Sequence, residues 1–289
     1  MPRCQANGIE IEYDTFGEPA DPALLLVMGL GMQLTAWLPD FCERLAGHGF
    51  HVIRFDNRDI GLSTAFDDGP QPDVMAILGG DTSSVPYLLE DLAADTIGLL
   101  DHLGISVAHV LGVSMGGMIT QELITRYPDR FASACSIMST TGEPSVGQPS
   151  PEASAALLSP PAVDRDGAIE RGLAIQRILM SPAYPQPDEL LRARVAAGYD
   201  RSYRPAGTVR QLAAIVASGD RTEALHSVAI PTVVIHGDAD PLVNVSGGRA
   251  TAAAIPGAQL IVLPGMGHDL PVELWDTIID AAAANAKAA

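Results

Sequence analysis

The sequence predicts an α/β fold in which helices cover both faces of a mostly parallel sheet. Short apolar runs alternate along the chain with segments whose apolar residues recur at helical spacing, such as the leucines within residues 89–103. The runs are apolar almost throughout, which is typical of parallel strands buried on both faces. The chain has 289 residues, of which 47% are hydrophobic, and this is enough to bury one large core.

Six apolar runs are the candidates for the parallel strands. A segment that precedes them, IEIEYDTFG at residues 9–17, alternates apolar and polar side chains, which predicts an antiparallel strand at the edge of the sheet. The six runs are Ala23–Met28, His51–Phe55, Val107–Val113, Phe131–Met138, Pro231–Gly237 and Ala258–Leu263.

The segment 141–226 breaks this alternation. It opens with GEPSVGQPSPEASAALLSPP, whose proline and serine content is typical of a loop, and it contains no strand candidate. Three helical patterns follow, around AIERGLAIQRILM, PDELLRARVAAGYDRSY and AGTVRQLAAIVAS. We therefore predict a core domain of residues 1–140 and 227–289, with a helical cap inserted at residues 141–226.

Charge and cysteine content limit the partners and the compartment. With a formal net charge of -18 and Lys287 as the only lysine, the surface should repel nucleic acid and anionic lipid headgroups. Cys4, Cys42 and Cys135 match neither a zinc-site spacing nor a disulfide framework, which indicates a reducing environment. The N-terminus MPRCQANGIE has no signal-peptide pattern, and no apolar run approaches the roughly 18 residues of a membrane span. We therefore expect a cytoplasmic protein that binds neither nucleic acid nor a membrane, and the sequence leaves a homo-oligomer open.

The stretch HVLGVSMGGM at residues 109–118 carries the strongest chemical signal. It contains GVSMG, a G-x-S-x-G pattern that follows an apolar strand and precedes a helical pattern. In this setting a sharp strand-to-helix turn exposes the serine, here Ser114, for nucleophilic attack. Gly112 and Gly116 remove side chains that would clash in such a turn, and Gly117 should allow close packing of the helix on the sheet.

A serine nucleophile needs an imidazole base and a carboxylate that orients the base. Of the seven histidines, His268 lies in the glycine-rich loop LPGMGHDLP just after the last strand candidate, where it can reach over the sheet. His109 lies at the far end of the serine strand and is therefore interpreted as structural. The loop HGDADPLV offers two acids, Asp238 and Asp240, whereas the loop STTGEP contains only Glu143.

The choice between the two aspartates follows from their neighbours. Asp240 precedes Pro241, which restricts its backbone to an extended conformation suited to a carboxylate that must meet one histidine nitrogen. Asp238 follows Gly237, where an aspartate more often bonds to its own turn. We therefore predict that Asp240, rather than Asp238, completes the catalytic triad.

Two backbone N–H groups are candidates for an oxyanion hole, which binds the negative charge on the carbonyl oxygen during acyl transfer. One belongs to Met115, the residue after the predicted nucleophile. The other belongs to Leu30, which follows Gly29 where the first parallel strand candidate ends.

Four methionines lie at or beside strand ends on the predicted active-site side. Thioether side chains adapt to irregular spaces and varied partners, so one hypothesis is that they line a pliable apolar substrate pocket. The alternative is that they are ordinary core fillers, and the sequence does not decide between the two. The four are Met28, Met115, Met138 and Met266.

Nearly the whole chain resembles the α/β-hydrolase superfamily. The resemblance is carried by the motifs LLLVMGLG, HVIRFDNRDIGLS, HVLGVSMGG, VVIHGDADPLV and LPGMGH. Within the superfamily, LLLVMGLG and DNRDIGLS are most similar to the small bacterial serine esterases that include aclacinomycin methylesterase. The resemblance implies a serine carboxylesterase with a helical cap over its site, a small-molecule ester substrate, and no metal or organic cofactor.

Two positions depart from the superfamily pattern. Met28 precedes Gly29 where many members have a histidine, which keeps the backbone donor but loses a side chain that shapes the loop. Asp59 and Ile60 stand between Arg58 and Gly61 in a segment that usually reads D-x-R-G-x-G-x-S. Asp56 and Arg58 of this segment are interpreted as structural.

The same triad serves other reactions, so alternatives to ester hydrolysis stay open. Among enzymes these are a lactonase, a carbon–carbon bond hydrolase and a cofactor-free perhydrolase. Ser114 argues against the haloalkane dehalogenases and epoxide hydrolases of this fold, which use aspartate. A ligand-binding member without catalysis is the remaining alternative, although binding alone does not need all three triad residues.

Overall fold

The computed structural model of the protein describes residues 1–69 and 71–289. In these residues the strands form one eight-stranded sheet with the order β1-β2-β4-β3-β5-β6-β7-β8. The strands are β1 Arg3–Ala6, β2 Ile9–Phe16, β3 Ala23–Val27, β4 His51–Phe55, β5 Ala108–Val113, β6 Phe131–Ile137, β7 Thr232–Gly237 and β8 Gln259–Leu263.

The six predicted parallel strands are present, and each pairs in parallel with its neighbours among them. The N-terminal segment forms β2, which is antiparallel to β4 as predicted, but its predicted place at the sheet edge is wrong. The edge strand on this side of the sheet is β1, which pairs with β2 through a tight hairpin. Asn7 (φ 49°) and Gly8 (φ 79°) make its turn, and two positive φ angles are the signature of a type I′ turn. The Asn7-Gly8 pair is therefore a sequence pattern that predicts this hairpin.

Helices cover both faces of the sheet, as the sequence predicts. In β3, Leu25 packs into one core cluster with helix α3, whereas Leu24 and Leu26 pack into a second cluster on the opposite face with α1 and α11. The helices are α1 Pro39–Gly47, α2 Val74–Leu78, α3 Leu89–His102, α4 Met115–Arg126, α5 Pro151–Leu157, α6 Arg165–Leu179, α7 Asp188–Arg201, α8 Pro205–Ser218, α9 Thr222–Leu225, α10 Ser246–Ala254 and α11 Trp275–Lys287. In the described part of the chain, none of them has both the length and the apolar character needed to cross a bilayer.

The segment 141–226, which the structure describes completely, contains α5 to α9 and no strand. The loop predicted for its first part is wrong where α5 forms. Ser150 caps this helix by accepting a hydrogen bond from the backbone N–H of Ala153 (3.1 Å), and Pro151 occupies the first turn. Ser150 and Pro151, which favoured the prediction of a loop, therefore mark the beginning of helix α5.

Candidate active site

The strand-to-helix turn at Ser114 has the geometry of a nucleophile elbow. β5 ends at Val113 and α4 begins at Met115, so Ser114 alone makes the turn, with φ 55° and ψ -120°. Residues other than glycine rarely adopt a positive φ, and backbone strain of this kind is concentrated at functional sites. The turn is held by the N–H of Ser114, which donates to the carbonyl oxygen of Ile137 (2.9 Å).

The glycines around the elbow are required by close backbone contacts. A Cβ on Gly112 would lie 2.1 Å from the carbonyl oxygen of Gly116, and one on Gly116 would lie 2.0 Å from that of Val27. A Cβ on Gly117 would lie 2.6 Å from the Cβ of Ser139, which follows β6. The predicted reasons for all three glycines are therefore confirmed.

Three side chains predicted from separate parts of the sequence meet above the carboxyl ends of β5, β7 and β8. The Nε2 atom of His268 lies 3.0 Å from the Oγ atom of Ser114. The Nδ1 atom of His268 lies 2.7 Å from the Oδ2 atom of Asp240. The imidazole therefore bridges the hydroxyl and the carboxylate, which is the geometry that lets a base take the serine proton.

Asp240 is enclosed by donors. Its Oδ1 atom accepts the backbone N–H groups of Leu242 (2.8 Å) and Val243 (2.9 Å). The Nε2 atom of His236 lies 3.5 Å from Oδ2 and 2.7 Å from the carbonyl oxygen of Val243. Burial by itself raises the pKa of Asp240, but the charge of His268 and the hydrogen bonds outweigh it and hold that pKa well below its usual range. The carboxylate therefore stays ionised at neutral pH.

Asp238 forms a hydrogen bond to a different loop from its own. The prediction that it bonds to its own turn is wrong, because its Oδ1 atom accepts the backbone N–H of Gly265 (2.6 Å) in the loop that carries His268. Asp238 is exposed, whereas Asp240 is 6% exposed. In the structure it is Asp240 that bonds to its own turn, through Leu242 and Val243.

The backbone N–H groups of Leu30 and Met115 have no hydrogen-bond acceptor among the described residues. The loop that carries Leu30 passes directly beside the elbow, since a Cβ on Gly29 would lie 3.2 Å from the Cβ of Ser114. Its next residue, Gly31, donates its N–H to the Oε1 atom of Gln211 (2.9 Å) on α8, so the helical segment helps to fix this loop. Sequence reasoning missed Gln211, because nothing local links it to residue 31.

The four methionines of the pocket hypothesis are buried. Their exposed fractions are 5% for Met28, 0% for Met115, 3% for Met138 and 0% for Met266. Met28, Met138 and Met266 belong to one core cluster and Met115 to the other. This burial favours the interpretation as core fillers, and a role in lining a substrate pocket stays a prediction.

Arg58 and Asp59 of the DNRDIGLS segment take part in a buried ionic network. The guanidinium of Arg58 donates to both carboxylate oxygens of Asp95, at 2.6 and 2.7 Å. Asp59 accepts hydrogen bonds from Arg210 of α8, at 2.7 and 2.8 Å, and from the hydroxyl of Tyr87 at 2.6 Å. Asp59, which stands where the usual pattern has its first glycine, therefore attaches α8 to the loop after β4.

A second group that sequence reasoning missed lies beside His268. The Oδ1 atom of Asp269 accepts hydrogen bonds from the backbone N–H (3.1 Å) and the hydroxyl of Ser181, which follows α6. Burial raises the pKa of Asp269, although these two donors and the nearby His268 act in the opposite direction.

Across the described ranges 1–69 and 71–289, no group of three or more His, Cys, Asp or Glu side chains is arranged to hold a metal ion.

The chain is similar in sequence to known bacterial hydrolases. Rhodomycin D methylesterase from Streptomyces sp. (strain C5) is 29% identical in an alignment of 294 residues that covers 94% of this chain and 93% of that protein. The 3-oxoadipate enol-lactonase 2 of Acinetobacter baylyi is 28% identical over 265 residues, which cover 89% of this chain and 86% of that protein. These matches confirm the resemblance to bacterial esterases of the α/β-hydrolase superfamily.

The fold is shared with solved structures. A meta-cleavage product hydrolase from Pseudomonas fluorescens superposes with a TM-score of 0.79 at 21% identity, covering 100% of this chain and 98% of that one. The model of the family described as serine aminopeptidase, S33, matches residues 18–274. The chain therefore belongs to this family of hydrolases and has the α/β-hydrolase fold.

Proposed function

We propose that this hydrolase cleaves carboxylic esters through a seryl-ester intermediate, with Ser114 as nucleophile, His268 as base and Asp240 as the orienting acid. The observation that carries the proposal is the continuous contact from hydroxyl to imidazole to carboxylate, at 3.0 and 2.7 Å. An isolated serine hydroxyl is a weak nucleophile, and a neighbouring base in this position activates it.

In the first half-reaction, His268 takes the proton from Ser114 as its Oγ atom bonds to the ester carbonyl carbon. Negative charge then develops on the carbonyl oxygen, where the N–H groups of Met115 and Leu30 would donate to it. When the tetrahedral intermediate collapses, His268 gives the proton to the departing alkoxide, and the alcohol leaves. A water molecule, deprotonated by His268, attacks the seryl ester in the same way and releases the acid.

Asp240 supports both half-reactions through its charge and its position. Its ionised carboxylate fixes the Nδ1–H tautomer of His268, which leaves Nε2 free to accept the serine proton. The same negative charge stabilises the imidazolium that forms after proton transfer. The depressed pKa of Asp240 keeps it ionised while His268 carries that positive charge.

Ester cleavage is preferred over peptide cleavage because of the relatives that match nearly the whole chain. The family description names aminopeptidases, but the relative that covers 94% of this chain is named as a methylesterase. We propose a small-molecule ester substrate that binds beneath the helical segment 141–226, which contacts the Leu30 loop through Gln211. The segment acts as a cap in this proposal, and its helices select the substrate.

Lactone hydrolysis is the second candidate function. A lactone is a cyclic ester, so the same nucleophile and oxyanion donors open it without any change in mechanism. A relative named as an enol-lactonase matches 89% of this chain, which supports this candidate. A screen of open-chain esters against lactones of equal carbon number separates the two candidates by kcat/KM.

The nucleophile assignment is tested by Ser114→Ala. The purified wild-type protein should release a burst of p-nitrophenol from a p-nitrophenyl ester, and a fluorophosphonate should label Ser114. Ser114→Ala should lose both while its circular dichroism stays native. Ser106→Ala, at an exposed serine near the opposite end of β5, is the matched control and should keep full activity. Labelling of another residue, or unchanged turnover in Ser114→Ala, would refute the assignment.

A further inference from the structure

The loop that carries His268 is held by a part of the helical segment. We define the His268 loop as residues 264–269 and the α6 exit segment as residues 179–184. The N–H of His268 donates to the carbonyl oxygen of Leu179 (2.7 Å), and the N–H of Ala183 donates to that of Gly265 (3.3 Å). The backbone of the candidate base is therefore bonded to residues that lie far from it in sequence.

Ser181 and Asp269 form the centre of this contact. The Oγ atom of Ser181 accepts the N–H of Gly267 (2.8 Å), and its proton goes to the Oδ1 atom of Asp269. Asp269 also accepts the backbone N–H of Ser181 at 3.1 Å. Ser181 is 0% exposed, so neither its hydroxyl nor the N–H of Gly267 has water as a ready substitute.

The two segments are packed as closely as their backbones allow. A Cβ on Gly267 would lie 2.5 Å from the carbonyl oxygen of Leu179, and one on Gly265 would lie 2.3 Å from the Cβ of Ala183. The His268 loop therefore has no room to move towards the α6 exit segment. Its movement away from that segment is opposed by the hydrogen bonds of Ser181 and Asp269.

We propose that Ser181 and Asp269 are positioning residues for His268, so that the helical segment holds the base in place as well as covering the site. This inference rests on the proposed function, in which His268 moves the serine proton. Asp240 fixes only the Nδ1 side of the ring. Asp238 and Ala239 bond to the loop at Gly265 and Met266, whereas the N–H of His268 itself is bonded to the α6 exit segment at Leu179. A displacement of the base by about 1 Å is enough to lower a rate by about 100-fold.

The experiment compares four variants on one p-nitrophenyl ester. Asp269→Ala and Ser181→Ala each remove the side-chain hydrogen bond between Ser181 and Asp269. Asp269→Asn keeps a side-chain oxygen that can accept both the backbone N–H and the hydroxyl of Ser181. Asp200→Ala is the matched control, because Asp200 makes a two-bond ion pair with Arg165 between α6 and α7 and touches no part of the His268 loop. The measurements are kcat, KM, the rate of fluorophosphonate labelling, and hydrogen exchange at residues 264–269.

Asp269→Ala and Ser181→Ala should each lower kcat and the labelling rate by about 10- to 100-fold with KM within about twofold. Hydrogen exchange of the His268 loop should accelerate in both, Asp269→Asn should recover most of kcat, and Asp200→Ala should match the wild type. A rise in KM alone, unchanged kcat in both alanine variants, or no recovery in Asp269→Asn would overturn the inference. An inactive and unlabelled wild-type protein would instead refute the proposed function, while the exchange data would still report whether the pair holds the loop.

Discussion

The two oxygens of Asp240 face different partners. Oδ1 accepts the N–H groups of Leu242 and Val243, which fix the loop after β7, and Oδ2 accepts Nδ1–H of His268. An asparagine at this position would have one oxygen and one NH₂ group. In one orientation the NH₂ group would face the N–H groups of Leu242 and Val243, and in the other it would face the Nδ1–H of His268. The position therefore requires a carboxylate for its geometry as well as for its charge.

We expect Asp240→Asn to lower kcat by about 10⁴-fold, because serine proteases that lose the corresponding carboxylate hold their histidine in the wrong tautomer and slow by about this factor. Asp238→Asn should keep kcat within about twofold, because its amide oxygen still accepts the N–H of Gly265. Steady-state kinetics of both variants on one ester, with thermal unfolding as a check on folding, measure the difference. A larger loss in Asp238→Asn would contradict the assignment.

Single residues were predictable where the signal was local. Pro241 beside Asp240, and glycines on both sides of Ser114, could be interpreted from a few neighbouring positions. The partner of Asp238 lies 27 positions away at Gly265, and Ser181 lies 88 positions from Asp269. Such pairs depend on tertiary packing, which a single sequence does not reveal.

At the scale of elements, α8 is attached to the core through a buried ion pair. Arg210 and Asp59 have side chains that are 0% exposed, and a Cβ on Gly207 would lie 2.2 Å from the carbonyl oxygen of Asp59. Asp59 itself has a positive φ of 72°, which directs its side chain under the helix. The residue that replaces the first glycine of the usual pattern is thus the one that contacts α8.

Asp59→Asn should lower the free energy of unfolding by at most about 3–5 kcal/mol, because the buried guanidinium of Arg210 then keeps only its bond to the exposed carboxylate of Asp67 at 2.9 Å. Urea unfolding followed by circular dichroism measures the change. Arg165→Gln, which breaks the exposed pair with Asp200, should leave the urea midpoint almost unchanged. Equal effects of the two substitutions would show that the Asp59 pair adds no more than a surface contact.

Elements were predicted well where hydrophobic periodicity was strong and less well where a short turn signal decided the structure. The run His51–Phe55 was predicted with the same bounds as β4, because five buried residues leave little ambiguity. The missed strand β1 has only four residues, of which two are buried. Helix α5 was missed because Ser150 and Pro151 are typical of both loops and helix starts.

At the scale of the whole molecule, the candidate triad lies at one end of the sheet and a buried histidine lies near the other. Ser114 lies at the carboxyl end of β5, and His109 lies near the amino end of the same strand, where its Nδ1 atom is 2.8 Å from the Oγ atom of Ser133. Burial lowers the pKa of His109, because the charged imidazolium is poorly solvated there. His109 is therefore a neutral structural residue at neutral pH.

This pKa shift predicts how stability depends on pH. A histidine whose folded pKa is lowered stabilises the fold above its unfolded pKa of about 6.5, and the contribution is lost as pH falls through the folded pKa. His109→Asn does not titrate, so its deficit in unfolding free energy should be larger at pH 8 than at pH 5. Urea titrations of both proteins across this range give the deficit. A deficit that is the same at both pH values would show that His109 becomes charged in the fold without penalty.

The two ends of the helical segment 141–226 lie side by side. The N–H of Arg221 donates to the carbonyl oxygen of Thr141 (2.9 Å), and a Cβ on Gly142 would lie 2.2 Å from the carbonyl oxygen of Gly219. An insert with adjacent ends can change length or sequence without stretching its host, and doubling a flexible insert costs only about 0.6 kcal/mol in closure entropy. Residues 142 and 219 are therefore natural splice points for exchanging the segment between them, provided that the replacement keeps Ser181, Arg210 and Gln211, which contact Gly267, Asp59 and Gly31.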